Sequence, residues 1–177
     1  GRVGSDERDQ RFSYIDVRVP VFHPFVFKNL IRLKGLYRAI MQGRGYAKWD
    51  AKLADFVQSD ELNGDTGYHF FMQHWKDIKF RSTGSDIRDV RIKMIEKYRD
   101  VALTDKILVL PAGLRDIQMS DDGRMKKDEI NDFYLRLIGI SNTIGKNPNS
   151  SVIDVSRWSL QMAFNALYEY MESMVSG

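Results

Sequence analysis

Ile130-Asn131-Asp132-Phe133-Tyr134-Leu135-Arg136-Leu137-Ile138-Gly139-Ile140-Ser141-Asn142-Thr143-Ile144 sets Ile130, Phe133, Leu137, Ile140 and Ile144 at alternating steps of three and four residues. The stretch from Leu160 to Met174 repeats the device with Leu160, Phe164, Leu167, Met171 and Met174. Such steps put the apolar side chains on one stripe of a helix, so each stretch carries an a/d seam. Between them, Gly145-Lys146-Asn147-Pro148-Asn149-Ser150-Ser151 consists almost only of turn-favouring residues. The reading is an antiparallel coiled-coil hairpin over 128–177, with the seams facing each other and the outer faces and tip left to solvent or a partner.

Upstream of the hairpin the signals are weaker and mixed. Lys106-Ile107-Leu108-Val109-Leu110-Pro111 is a short apolar run stopped by proline and reads as a buried strand, and the loop after it, Met119 to Arg124, is rich in turn formers. Residues 86–98 read as a helix entered from Ser82-Thr83-Gly84-Ser85, with Ile87, Val90, Met94 and Ile95 inward. Two further amphipathic helices are expected over 49–57 and 68–80, and helical spacing over 25–41 is broken or capped at Gly35 and Gly43. Ile15, Val17 and Val19 alternate with Asp16 and Arg18 as in a half-buried strand, which Pro20 should end. Residues 1–12 are polar and read as a loop or arm. The fold class is mainly α with short strands, α+β.

The composition bounds the function. The chain has 177 residues, 43% hydrophobic and 29% charged, which suits one globular domain, or a domain with a projecting element, and no membrane span. It has no cysteine, so disulfides, thiolate zinc sites and thiol nucleophiles are excluded together, and a cytoplasmic setting is expected. A net charge of +3 permits contact with phosphates without demanding it.

Few residues carry chemistry of their own. His69 and His74 lie five apart, on different faces of one helix, and read as structural; His23, between Phe22 and Pro24, reads as a core or turn histidine bonded to backbone. Asp121 and Asp122 are better explained by a turn than by Mg²⁺, which needs acids converging from several positions. No phosphate-binding glycine loop, nucleophile elbow or nucleophile–base pair is present, which leaves a stand-alone hydrolase unsupported. Arg124, Lys126 and Lys127 form a basic cluster that fits either a phosphate contact or a solvated loop. Trp158, beside Arg157 and near Tyr168 and Tyr170, fits either a protein interface or packing across the hairpin.

Longer strings carry a resemblance. Leu108-Val109-Leu110-Pro111-Ala112-Gly113-Leu114-Arg115-Asp116, then Asp121-Asp122-Gly123-Arg124, then Asp128-Glu129-Ile130-Asn131-Asp132-Phe133-Tyr134-Leu135-Arg136-Leu137-Ile138 resemble VLPPDLRP, DGGRF and SDLNDLYRRVI of the β′ subunit of bacterial DNA-directed RNA polymerase. Ile15-Asp16-Val17 with Pro20, His23 and Phe27-Lys28-Asn29-Leu30 is similar to the family's HIEL…P…H…FLKSL, and Ile92-Lys93-Met94-Ile95-Glu96 to IKLLE. Leu160-Gln161 with Ala163 and Ala166-Leu167 resembles LQEAVDALL; residues 41–91 have no counterpart.

The resemblance implies a clamp base over 1–116 that helps close over DNA. It implies a lid over 117–127, with Asp121, Asp122, Gly123, Arg124 and Met125 at the upstream edge of the RNA–DNA hybrid and Arg124, Lys126 and Lys127 as nucleic-acid contacts. It further implies a clamp-helix coiled coil over 128–177 that docks a sigma-like specificity factor through Arg136, Asn142, Lys146, Arg157, Trp158 and Gln161. Partners would be the β subunit and the remainder of β′, the specificity factor, template DNA and the hybrid. No cofactor belongs to this chain, and Mg²⁺ is expected only in the assembled polymerase, on acids elsewhere.

The departures are specific. Between Ile138 and Leu160 the chain is about one helical turn shorter than the family pattern, and Gly139-Ile140-Ser141-Asn142-Thr143 stands where the family is rich in arginine. Such a tip should not grip an acidic sigma surface in the usual way, which implies a divergent factor or none. The family's cysteine-rich zinc ribbon and its NADFDGD magnesium loop are missing, so the expectation is a fragment or one chain of a split β′, as in polymerases of large bacteriophages. The rival reading is a stand-alone helical interaction module unrelated to polymerase.

Overall fold

The structure is a computed structural model that describes residues 13–109, 123–146 and 150–176, with side chains at 123–128, 150, 151 and 176 excepted. It is mainly helical with a few short antiparallel strands. In chain order the elements are β1 (Ser13–Phe22), α1 (Pro24–Leu33), α2 (Gly35–Gln42), β2 (Ala47–Asp50), β3 (Asp55–Gln58), α3 (Tyr68–His74), α4 (Asp86–Tyr98), β4 (Leu103–Val109), α5 (Gly123–Lys146) and α6 (Ser150–Ser176). Single 3₁₀ turns follow α3 at Trp75–Asp77 and α4 at Arg99–Val101.

β1 organises the molecule. It pairs antiparallel with β4 from Ser13↔Val109 to Asp16↔Lys106, loses register, and resumes at Val21↔Thr104 and Phe22↔Leu103. In the gap, Val17, Arg18, Val19 and Pro20 stand against Asp105 alone. Pro20 therefore does not end the strand as its sequence suggested: it lies within a bulge, where no ladder bond is required of its missing N–H. Arg18 takes the left-handed conformation at φ 71°, its N–H donating to Asp16 Oδ1 at 2.8 Å. On β4 only Ile107 is fully buried, because a two-stranded ribbon is covered on one face; the strand is present but is not the buried one expected.

α1 begins where the sequence supplies a cap and a proline. His23 Nδ1 accepts from the Phe25 N–H at 3.1 Å, Pro24 occupies the first turn, and Val26, Phe27 and Leu30 face inward. Lys34 is extended and separates α2, which stops at Gly43 with φ 81°.

Residues 49–57 are not the expected helix. They form the β2–β3 hairpin, in which Trp49 and Phe56 pair across the strands with rings 5.2 Å apart. Asp50 Oδ1 accepts from the Lys52 and Leu53 N–H groups and closes the turn, and Ala54 is left-handed at φ 53°. The cross-strand aromatic pair outweighs the apolar spacing that suggested a helix. Phe56 then joins Tyr37, Phe70 and Phe71, while Trp49 stacks on His74 at 4.8 Å and 9°. The expected helix over 68–80 ends at His74 and its 3₁₀ turn.

α4 covers its expected span, capped by Ser85, but only Ile95 of its inward set is fully buried. Ile87 is 69% and Val90 54% exposed, because the first turn faces α1 with Arg88, which donates to the Leu33 carbonyl at 3.2 Å, and turns these two aliphatic residues outward.

The core runs without a break from β1 through α1–α3 to the two long helices. Phe22 contacts the rings of Tyr68, Phe71 and Trp75, and Ile130, Leu137, Ile144, Leu160, Phe164 and Leu167 belong to the same buried cluster. The start of α5 meets the end of α6, where Tyr170 Oη donates to Glu129 Oε2 at 2.9 Å and lies 5.0 Å from the Phe133 ring. No helix among the described residues is long and apolar enough to cross a membrane.

Candidate functional site

Both long helices read the β1 bulge with polar side chains. From α5, the Ser141 hydroxyl donates to the Asp16 carbonyl at 2.8 Å, and Gly145 lets the Arg18 side chain approach: a Cβ there would meet its guanidinium carbon at 2.9 Å. From α6, three residues at steps of three and four share one stripe. Asp154 Oδ1 accepts from the His69 N–H at 3.0 Å, at the start of α3. Arg157 donates twice to the Pro20 carbonyl, at 3.2 and 2.6 Å, with its guanidinium 4.7 Å from the Tyr68 ring centroid. Gln161 pairs with Phe22 as a neighbouring strand would: Oε1 accepts from the Phe22 N–H and Nε2 donates to the Phe22 carbonyl, each at 2.9 Å. Tyr68 Oη completes the network with a 2.7 Å bond to the same Oε1.

The electrostatics follow from burial. Tyr68 is pushed well above its ordinary pKa by desolvation, and desolvation lowers that of Arg157 against the opposing pull of Tyr68 and Asp154. Arg157 and Gln161, expected at a partner surface, are thus corrected: both are buried, and their polar groups are committed to β1. Asp154 was missed by the sequence reading. Its signal was the polar 154, 157, 161 spacing, which runs in step with the apolar seam.

Trp158 is half-buried with its ring 5.9 Å from Phe27, so it packs on α1. Of the other residues expected at a partner surface, Arg136, Asn142 and Lys146 are exposed on α5. They share the outer surface of that helix with Leu135 and Ile138, and the start of α6 adds exposed Val152 and Val155. Two cations and an amide thus stand beside uncovered aliphatic side chains.

The segment expected to form a lid, 117–127, lies mostly outside the described residues. Asp121 and Asp122 fall outside the described residues. α5 starts at Gly123, earlier than the 128 expected, so the backbone of Arg124, Met125, Lys126 and Lys127 is helical, in keeping with the helix propensity of those residue types. Their side chains lie outside the described residues. His69 and His74 sit in α3, His69 exposed with its Nε2 3.4 Å from Gln73 Nε2 and His74 stacked against Trp49. Among the described residues, no group of three His, Asp or Glu side chains gathers as a metal ion would require. No family model matches the chain, and no solved structure matches it.

Proposed function

We propose that the chain is a non-catalytic part of the β′ subunit of a DNA-directed RNA polymerase. In this reading residues 13–109 belong to the clamp that holds DNA, and the segment around Arg124 is the lid. α5 and α6 form the antiparallel clamp-helix coiled coil, whose outer face docks a sigma-like specificity factor. The observation that carries it is a convergence. The two strings that resemble β′ at opposite ends of the chain, around Ile15 to Leu30 and Leu160 to Leu167, bond directly through Gln161 and Phe22. Phe22 lies between the matched Pro20 and His23, so the resemblance falls on segments that are neighbours in the fold.

Exposed Arg136, Asn142 and Lys146, with Leu135 and Ile138, are then the docking residues, and Arg157, Trp158 and Gln161 hold the coiled coil to the clamp. Nucleotidyl transfer and its Mg²⁺ would belong to acids on another segment or chain. The test uses the assembled polymerase. Arg124→Glu should impair hybrid stability or RNA displacement, and Arg136→Glu with Lys146→Glu should weaken factor-dependent promoter binding while leaving assembly intact. Unchanged transcription in both variants would sink the assignment.

A further inference from the structure

α4 buries little of itself. Only Ile95 is fully enclosed, while Ile87, Val90 and Tyr98 are exposed, Met94 is half-buried, and Val101 in the following 3₁₀ turn is exposed. Ile87, Val90, Met94, Tyr98 and Val101 are spaced by three, four, four and three residues, so they run as one narrow stripe along the outer side of the helix. None of the five belongs to the core cluster or to the side chains packed on it. A stripe of this period is the seam of a helix pair, and this one is uncovered.

At its far end the stripe opens into a cleft of about 440 Å³. Tyr98 and Val101 form one wall and His23, Phe25, Val26 and Tyr168 the others, with the Phe25 and Tyr98 rings 5.8 Å apart at 88°. No Asp, Glu, Lys or Arg among the described residues lines it, so it suits an apolar side chain.

Both edges of the stripe carry the same sign of charge. Arg91 neighbours Ile87 and Met94 on one edge, and Lys93 and Lys97 neighbour Val90, Met94 and Val101 on the other. Among the described residues none of these three cations has a carboxylate within salt-bridge distance, and the Lys97 ammonium rests 5.4 Å from the Tyr98 ring centroid. The acids are placed elsewhere: Glu96 pairs with Arg99, Asp89 turns an oxygen into the interior, and Asp86 and Asp100 stand at the two ends.

We propose that the α4 stripe docks an amphipathic helix of a partner protein, whose apolar seam is edged by Asp or Glu and one of whose apolar side chains fills the cleft. A second copy of this chain would set Arg91, Lys93 and Lys97 against the same three cations, because both edges have one sign. A lipid surface is flat and would leave the cleft unfilled, and the stripe is narrower than the apolar sector of a helix lying in a bilayer interface. The inference stands apart from the polymerase reading, since it uses α4 and not the outer face of α5.

The test is methyl NMR of the 177-residue chain, read at Ile87, Val90, Met94 and Val101. The probes are a synthetic helix with leucine at a and d and glutamate at e and g, the same helix with lysine at e and g, and vesicles of phosphatidylserine and phosphatidylcholine. The glutamate helix should shift these methyls saturably, and the lysine helix should bind about tenfold more weakly, the sum of a few edge charge pairs. Ile87→Ser with Val90→Ser should weaken binding several-fold while the remaining resonances show an intact fold. Reversal of the edges by Arg91→Glu, Lys93→Glu and Lys97→Glu together should turn the preference to the lysine helix. Equal binding of the two helices would overturn the acidic partner, and larger shifts with vesicles than with peptide would overturn a protein occupant. Shifts that grow with chain concentration alone would show a second copy in its place. Shifts confined to Leu135 and Ile138, or none at millimolar peptide, would overturn the site.

Discussion

Gln161 shows how one side chain can replace a strand. Its amide matches the spacing of a backbone donor and acceptor, and it satisfies Phe22 where β1 leaves the ladder for α1. Gln161→Leu keeps much of the volume but takes the amide donor from the Phe22 carbonyl and the amide acceptor from the Tyr68 hydroxyl, leaving the Phe22 N–H only the Tyr68 oxygen at 3.2 Å, so it should lower stability by about 1–3 kcal/mol, read from urea unfolding. Arg157→Met, which leaves the Pro20 carbonyl without its two donors, should cost about 1–3 kcal/mol by the same measurement. His23 gives a pH signature. Burial sets its folded pKa below the ordinary 6.5, although Glu172 pulls upward, so the unfolded chain takes up the proton first as pH falls. Stability present above pH 6.5 is therefore lost as pH drops through the folded value. His23→Asn, which retains a capping acceptor, should flatten the change in unfolding midpoint between neutral and mildly acidic pH; an unaltered slope would remove His23 as its source. The backbone bond of His23 was legible in the sequence because it is local, reaching only to Phe25, although its place as a helix cap was not read. The partners of Arg157 and Gln161 were not, because those bonds join residues far apart in the chain.

At the scale of elements, period alone separated well from badly read segments. The seams of α5 and α6 predicted long helices, and the structure has them, but the buried stripe of α5 also takes in Tyr134 and Ser141 while Phe133 and Ile140 sit at its edge. The shift arises because α5 packs on β1 as well as on α6, and a two-sided contact widens the buried stripe. Leu137, fully buried, and Ile87, mostly exposed, both looked inward-facing in the sequence. Leu137→Ala should cost about 2–5 kcal/mol and Ile87→Ala under about 0.5 kcal/mol. The β2–β3 hairpin was misread because four-residue strands are too short for alternation to overrule a helical spacing. Its left-handed Ala54 yields a further expectation: Ala54→Gly should leave stability unchanged or raise it by up to about 1 kcal/mol, through relief of the strained conformation.

For the whole molecule, one core ties the long helices to the body, and Ser141 of α5 with Arg157 and Gln161 of α6 bonds both helices to β1. This arrangement would suit a clamp that must keep a docking surface in fixed register with the segment around Arg124. The proposal meets its most direct test in the native assembly: a photo-crosslinking amino acid at Arg136 or Asn142, followed by mass spectrometry of the adducts and of the co-purified chains. The account predicts adducts to a transcription specificity factor, in a complex that also holds the aspartate-rich magnesium loop of β′, on this polypeptide or another. A purified assembly with no such loop and no polymerase subunit would contradict it.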